Sequence, residues 1–111
     1  MSAQPEQLFA QHGRVEELEL DIDLQDHLST RGIYSKHTVS LNEILEVHQG
    51  NPKYFENIGR NKRAPIIMVG VTLSDRVLCI PIEPTGVEGR WRVVTAFEAN
   101  THHKERYLEQ S

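Results

Sequence analysis

A single cysteine, Cys79, leaves this 111-residue chain without the means for an intrachain disulfide. That excludes the small secreted domains held together by cystine staples. No Cys/His spacing matches a zinc site. No apolar run approaches the roughly 20 residues that span a bilayer as a helix. The opening residues, MSAQPEQLFAQHGR, carry no apolar signal-peptide core, so a reducing, cytoplasmic setting is expected. Strong positive charge is also missing: the formal net charge is −4, whereas a DNA-coating domain would be strongly basic.

What is there suits one soluble domain, with 38% hydrophobic and 25% charged residues. The charge is unevenly placed. Residues 1–50 hold nine acids and three bases, and residues 51–111 hold seven acids and nine bases. A local basic site is therefore expected in the second half.

Residues 1–16 show no clear period and are expected to form a flexible segment, with Leu8 and Phe9 packing locally; residues 17–111 then make the domain. Residues 17–24 (ELELDIDL) alternate strictly between acid and aliphatic side chains, the mark of a half-buried strand whose outer acids are solvated. Residues 25–31 suit a short helix ending at Gly32, and residues 33–39 read as a loop. Ser40-Leu41-Asn42-Glu43 is a capping box, followed by Leu41, Ile44, Leu45 and His48 at helical spacing, with Gly50 and Pro52 as the stop. His48 reads as a packing histidine.

The second half is richest in signal. Residues 53–58 read as a strand and residues 59–63 (GRNKR) as a basic turn. Three apolar runs follow, at residues 65–72 (PIIMVGVT), 76–83 (RVLCIPIE) and 90–97 (RWRVVTAF), joined by a short hairpin loop and by a longer loop (PTGVEG). Pro81 cannot donate to a ladder, which predicts a bulge or an edge position there. Both faces of these runs are apolar, whereas a sheet with one wet face shows polar residues at every second position. A partner chain or a second copy is expected to cover part of the sheet.

The order of these pieces resembles the BrnT-like toxins, members of the RelE-type ribonuclease superfamily of type II toxin–antitoxin systems. The resemblance spans residues 17–109 and rests on EILEVHQGNP, NKRAPIIMVG, and EPTG followed by WRVVTA. It implies an α+β, RelE-like fold: a twisted antiparallel sheet of about four strands, an N-terminal strand, two helices before the sheet and a short C-terminal helix. It also implies cofactor-free and metal-independent RNA cleavage, neutralised by an antitoxin. Position 97 is Phe where family members often carry Arg, and the closing segment THHKERYLE has His102 and His103 in arginine-like places. The alternative is thus an inactive member that binds protein or nucleic acid.

Metal-free cleavage of RNA needs a base for the 2′-hydroxyl, an acid for the leaving 5′-oxygen and fixed cations for the phosphate. Histidine suits the first two roles. His103, Arg106 and Tyr107 share one helical face, as do His102 and Arg106, and Arg92 could fork onto a phosphate. These five are the catalytic candidates. Arg60, Lys62, Arg63 and Arg90 are the candidates for holding the RNA backbone, with Tyr54 for stacking on a base. The plainer alternative for each is a solvated loop, a wet helix face or, for Trp91 and Phe97, the core.

Overall fold

A computed structural model describes residues 5–20, 39–57, 63–101 and 104–105. The apolar runs of the second half become β3 (Ile66–Val71), β4 (Val77–Pro84) and β5 (Arg90–Val93), with β2 (Lys53–Glu56) before them and β6 (Phe97–Glu98) after them. The acid/aliphatic stretch supplies β1 (Glu17–Glu19). Together they form one sheet in the order β1-β5-β4-β3-β2, with β6 also paired to β4. β1 runs parallel to β5 and all other pairs are antiparallel. The expected antiparallel sheet of about four strands is therefore a larger, mixed one. Sequence could not reveal this, because the β1–β5 pair joins segments some 70 residues apart.

Pro81 explains how β4 serves two partners on one edge. Cys79 pairs with Phe97 and Ile82 with Val93. Two residues of β4 (80–81) thus face three of the opposing segment (94–96), the count of a bulge. The Pro81 carbonyl points to that edge, accepting from the Val94 N–H at 2.9 Å. The N–H that proline lacks would point the same way, so its absence falls where the neighbouring strand is interrupted. The extra residue also turns Phe97 to the face opposite Val93, where it packs with Cys79.

On the first face Ile66, Met68, Leu78, Ile80, Ile82, Trp91 and Val93 form a closed core with Ile44 and Val47 of α2 (Leu41–Gln49). The capping box forms as expected. The Glu43 N–H donates to Ser40 Oγ (3.2 Å) and the Ser40 N–H to Glu43 Oε1 (3.1 Å). Arg76 of the β3–β4 hairpin grips the same carboxylate, tying the helix start to the sheet. α2 lies close over Gly70, where an added Cβ would come within 2.8 Å of Val47 Cγ1. His48 is a packing residue, its Nε2 2.9 Å from the Val15 carbonyl.

Residues 5–12, which show no period in the sequence, form α1 (Pro5–His12). Its Phe9 meets Tyr54 and Trp91 edge-on at ring-centre distances of 5.2 and 5.8 Å. The Trp91 indole N–H donates to the Gly13 carbonyl at 3.1 Å. Two core contacts, rather than helical periodicity, hold this segment in place. The expected helix at residues 25–31 and loop at 33–38 lie outside the described residues.

The second face carries a smaller cluster of Ile67, Val69, Cys79 and Ala99, with Phe55, Val77 and Phe97 around it. Ile67, Val69, Cys79 and Ala99 are buried within the single chain, Phe55, Val77 and Phe97 are half-buried, and Val71 on the same face is exposed. Contacts within the chain thus account for part of the doubly apolar alternation.

Candidate nucleic-acid interface

The other end of the second face is charged. On β5, Trp91 and Val93 point into the first-face core, which leaves Arg90 and Arg92 on the opposite side. The register then sets Arg92 directly between Glu19 of β1 and Glu83 of β4. Arg92 donates from Nε to Glu19 Oε1 at 2.9 Å and from Nη1 to Glu83 Oε1 at 3.2 Å. Arg90 reaches diagonally to Glu19 Oε2 at 3.3 Å. Arg63, just ahead of β3, forks onto Glu83 with contacts of 2.9 to 3.1 Å. The result is a continuous row, Arg90–Glu19–Arg92–Glu83–Arg63, across three strands and the lead into a fourth.

Local hydrogen bonds position both ends of this row. Asn57 ties the end of β2 to the lead into β3: its backbone N–H donates to the Pro65 carbonyl (2.9 Å) and its amide to the Ala64 carbonyl (2.7 Å). The EPTG motif is a structural turn before Arg90. Thr85 Oγ1 donates to the Arg90 carbonyl at 2.8 Å and accepts from the Val87 N–H, while Gly86 takes a φ of 95°.

The electrostatics follow the geometry. Burial alone would push the Glu83 carboxyl up, but hydrogen bonds and charge from Arg63 and Arg92 outweigh it and hold the group below its ordinary value. The hydrogen bond that Arg92 donates to Glu19, then the one it donates to Glu83, raises its pKa further above an already high value. Glu17, opposite Arg90 in the β1–β5 register, adds a third carboxylate. Three arginines therefore meet three glutamates, and the patch is formally neutral.

Of the sequence candidates, the structure brings Arg63, Arg90 and Arg92 together. It does not bring Tyr54 to them: Tyr54 lies on the first face, in contact with Phe9, and burial raises its hydroxyl pKa. Phe97 belongs to the second-face cluster and Trp91 to the first-face core, as their plainer readings expected. Arg60, Lys62, His102, His103, Arg106 and Tyr107 lie outside the described residues. The start of the closing helix is described: Thr101 follows β6, and the Lys104 N–H donates to the Asn100 carbonyl at 3.0 Å. It begins beyond the Val77 end of β4, since the Ala99 N–H donates to the Val77 carbonyl. Arg92 stands opposite Glu83, six residues along the same strand, or roughly 20 Å at the rise of a β-strand.

Sequence reasoning passed over Glu19 and Glu83. The period-2 pattern does put Glu17 and Glu19 on one face, but nothing local says that this face adjoins Arg90 and Arg92. Among the described residues, no group of three or more His, Cys, Asp or Glu side chains is set to hold a metal ion. No protein-family model, curated protein or solved structure gives a significant match to the chain.

Proposed function

We propose that this chain is the toxin-family component of a type II toxin–antitoxin system, of the BrnT-like, RelE-type kind, and that it engages the RNA backbone through the arginine row. The observation that carries this reading is the convergence of Arg63, Arg90 and Arg92 on one end of the second face, each held by a carboxylate at hydrogen-bond distance. Guanidinium groups held in that way have the fork geometry that phosphate oxygens accept. The sequence resemblance points to the family, with which an α+β fold agrees at the level of class; the family in turn implies metal-independent cleavage as the reaction and a small antitoxin as the partner. The resemblance gives proton transfer to the closing helix, with His103 as the leading candidate; because that helix begins roughly 20 Å from Arg92, Arg92 holds a phosphate of the strand other than the one cleaved.

A second reading has its own support. Each arginine of the row is already bound to a carboxylate, and Phe97 packs with the second-face cluster at the position where the family often has arginine. An inactive family member that binds RNA or protein would look the same. Incubating the purified chain with a structured RNA in excess EDTA, beside Arg92→Ala and His103→Ala variants, separates the two. EDTA-resistant cleavage lost in both variants supports the ribonuclease. Intact RNA that still shifts in a gel, with salt-sensitive binding weakened by Arg92→Ala, supports the binding module. Neither cleavage nor binding overturns RNA engagement through the row.

A further inference from the structure

Glu19 and Glu83 do more than neutralise their neighbours, because they fill the donor directions of the arginines. Arg92 turns Nε to one carboxylate and Nη1 to the other, and Arg63 spends both Nε and Nη2 on Glu83. These contacts, at 2.9 to 3.3 Å, are the ones a phosphate would make. The carboxylates are also spaced by the sheet. Glu19 and Glu83 flank Arg92 on the two neighbouring strands, so their Cα atoms are separated by two strand spacings of about 4.8 Å each. Both carboxylates nevertheless converge on the one guanidinium of Arg92.

We infer that Glu19 and Glu83 stand in for backbone phosphates, so that the arginine row binds RNA by exchanging carboxylate for phosphate. The inference rests on the RNA reading above and adds a built-in competitor to it. The row is self-occluded at rest. A ligand must bring enough negative charge to displace both glutamates, which favours a polyanionic strand over a single phosphate. Exposure makes the exchange feasible: the side chains of Arg63, Arg90 and Arg92 retain 58%, 47% and 33% of their accessible surface. The outer guanidinium surfaces can therefore meet a strand before the inner contacts give way.

The test is fluorescence anisotropy of a labelled oligouridylate at low salt with the full chain, its Glu19→Gln/Glu83→Gln variant and a charge-matched control, Glu6→Gln/Glu88→Gln. Glu6 and Glu88 are exposed and outside the row, so the control raises net charge equally without opening it. The inference expects the Glu19/Glu83 variant to bind about tenfold more tightly than wild type, with a steeper dependence on salt. The control should gain less than about twofold, and adding Arg92→Ala should remove the gain. Thermal melts and circular dichroism confirm that the variants fold. Equal gains in both double variants would mean bulk charge alone and overturn the inference. So would weaker binding by the Glu19/Glu83 variant, which would mean that the glutamates orient the arginines for RNA. In either case the RNA reading survives on the wild-type binding. If no form binds the strand, both the RNA reading and the inference fall.

Discussion

The two faces of the sheet are built on different principles. The first is apolar from end to end: α1 and α2 close over it, and Trp91, Ile66, Met68, Leu78, Ile80 and Ile82 are fully buried. The second is divided. One end holds Ile67, Val69, Cys79 and Phe97; the other holds the row from Arg63 to Arg90. Burial of large side chains is worth ~1.5–3 kcal/mol each, whereas exposed ion pairs contribute about 0–1 kcal/mol. The first face therefore carries most of the stability. The charged end of the second face contributes little to holding the fold, so its three arginines call for an explanation outside folding. The Arg76 side chain lies between these regimes, joining Glu43 of the first-face helix to Glu98 of β6.

The sharpest way to break this contrast is to remove the centre of the first face. Trp91→Ala should cost about 3–5 kcal/mol through lost burial and a cavity, and should leave the Gly13 carbonyl without its indole donor. Urea unfolding would show it as a large fall in midpoint. If an Arg63→Ala/Arg92→Ala variant fell as far, the division of labour between the faces would be wrong. Gly70→Ala comes next, at about 1–3 kcal/mol. The new methyl would meet Val47 Cγ1 at 2.8 Å, and Val47 is buried and has little room to yield. A shorter hydrophobic partner provides the check, since Val47→Ala in the same chain should return part of the loss. Ser40→Ala should cost about 1 kcal/mol, because it removes the acceptor for the Glu43 N–H at the start of α2.

How much of this was legible beforehand depended on the range of the interaction. The capping box of α2, the β3–β4 hairpin and the EPTG turn are local, so residue type and spacing sufficed to place them. The Pro81 disruption was legible as well, but the bulge lies in the opposing segment at residues 94–96 rather than in Pro81's own strand. α1 was hidden because Phe9 and Trp91, more than 80 residues apart, hold it. The parallel β1–β5 pair was hidden for the same reason. It decided the candidate site. The arginines stand out as cations, whereas Glu19 reads as solvated because its partner strand lies some 70 residues away, and Glu83 draws no notice as a partner.

The smallest effect belongs to the row itself and is best seen through pH. Glu83→Gln keeps the shape but removes the charge that Arg63 and Arg92 share. At neutral pH it should cost under about 1 kcal/mol, since Arg63 is more than half exposed. The sign with pH is set by the lowered pKa of Glu83. A carboxyl that holds its proton less tightly in the folded chain than in the unfolded one stabilises the fold above its ordinary value of 4.5. That contribution is lost as pH falls through the folded-state value. The gap between wild type and Glu83→Gln should therefore be constant from neutral pH down to about 5 and close below 4.5. Paired thermal melts across that range would show it. A gap that persisted unchanged in acid would mean that Glu83 acts through its hydrogen bonds rather than its charge, and the carboxylate could then no longer be regarded as a stand-in for phosphate.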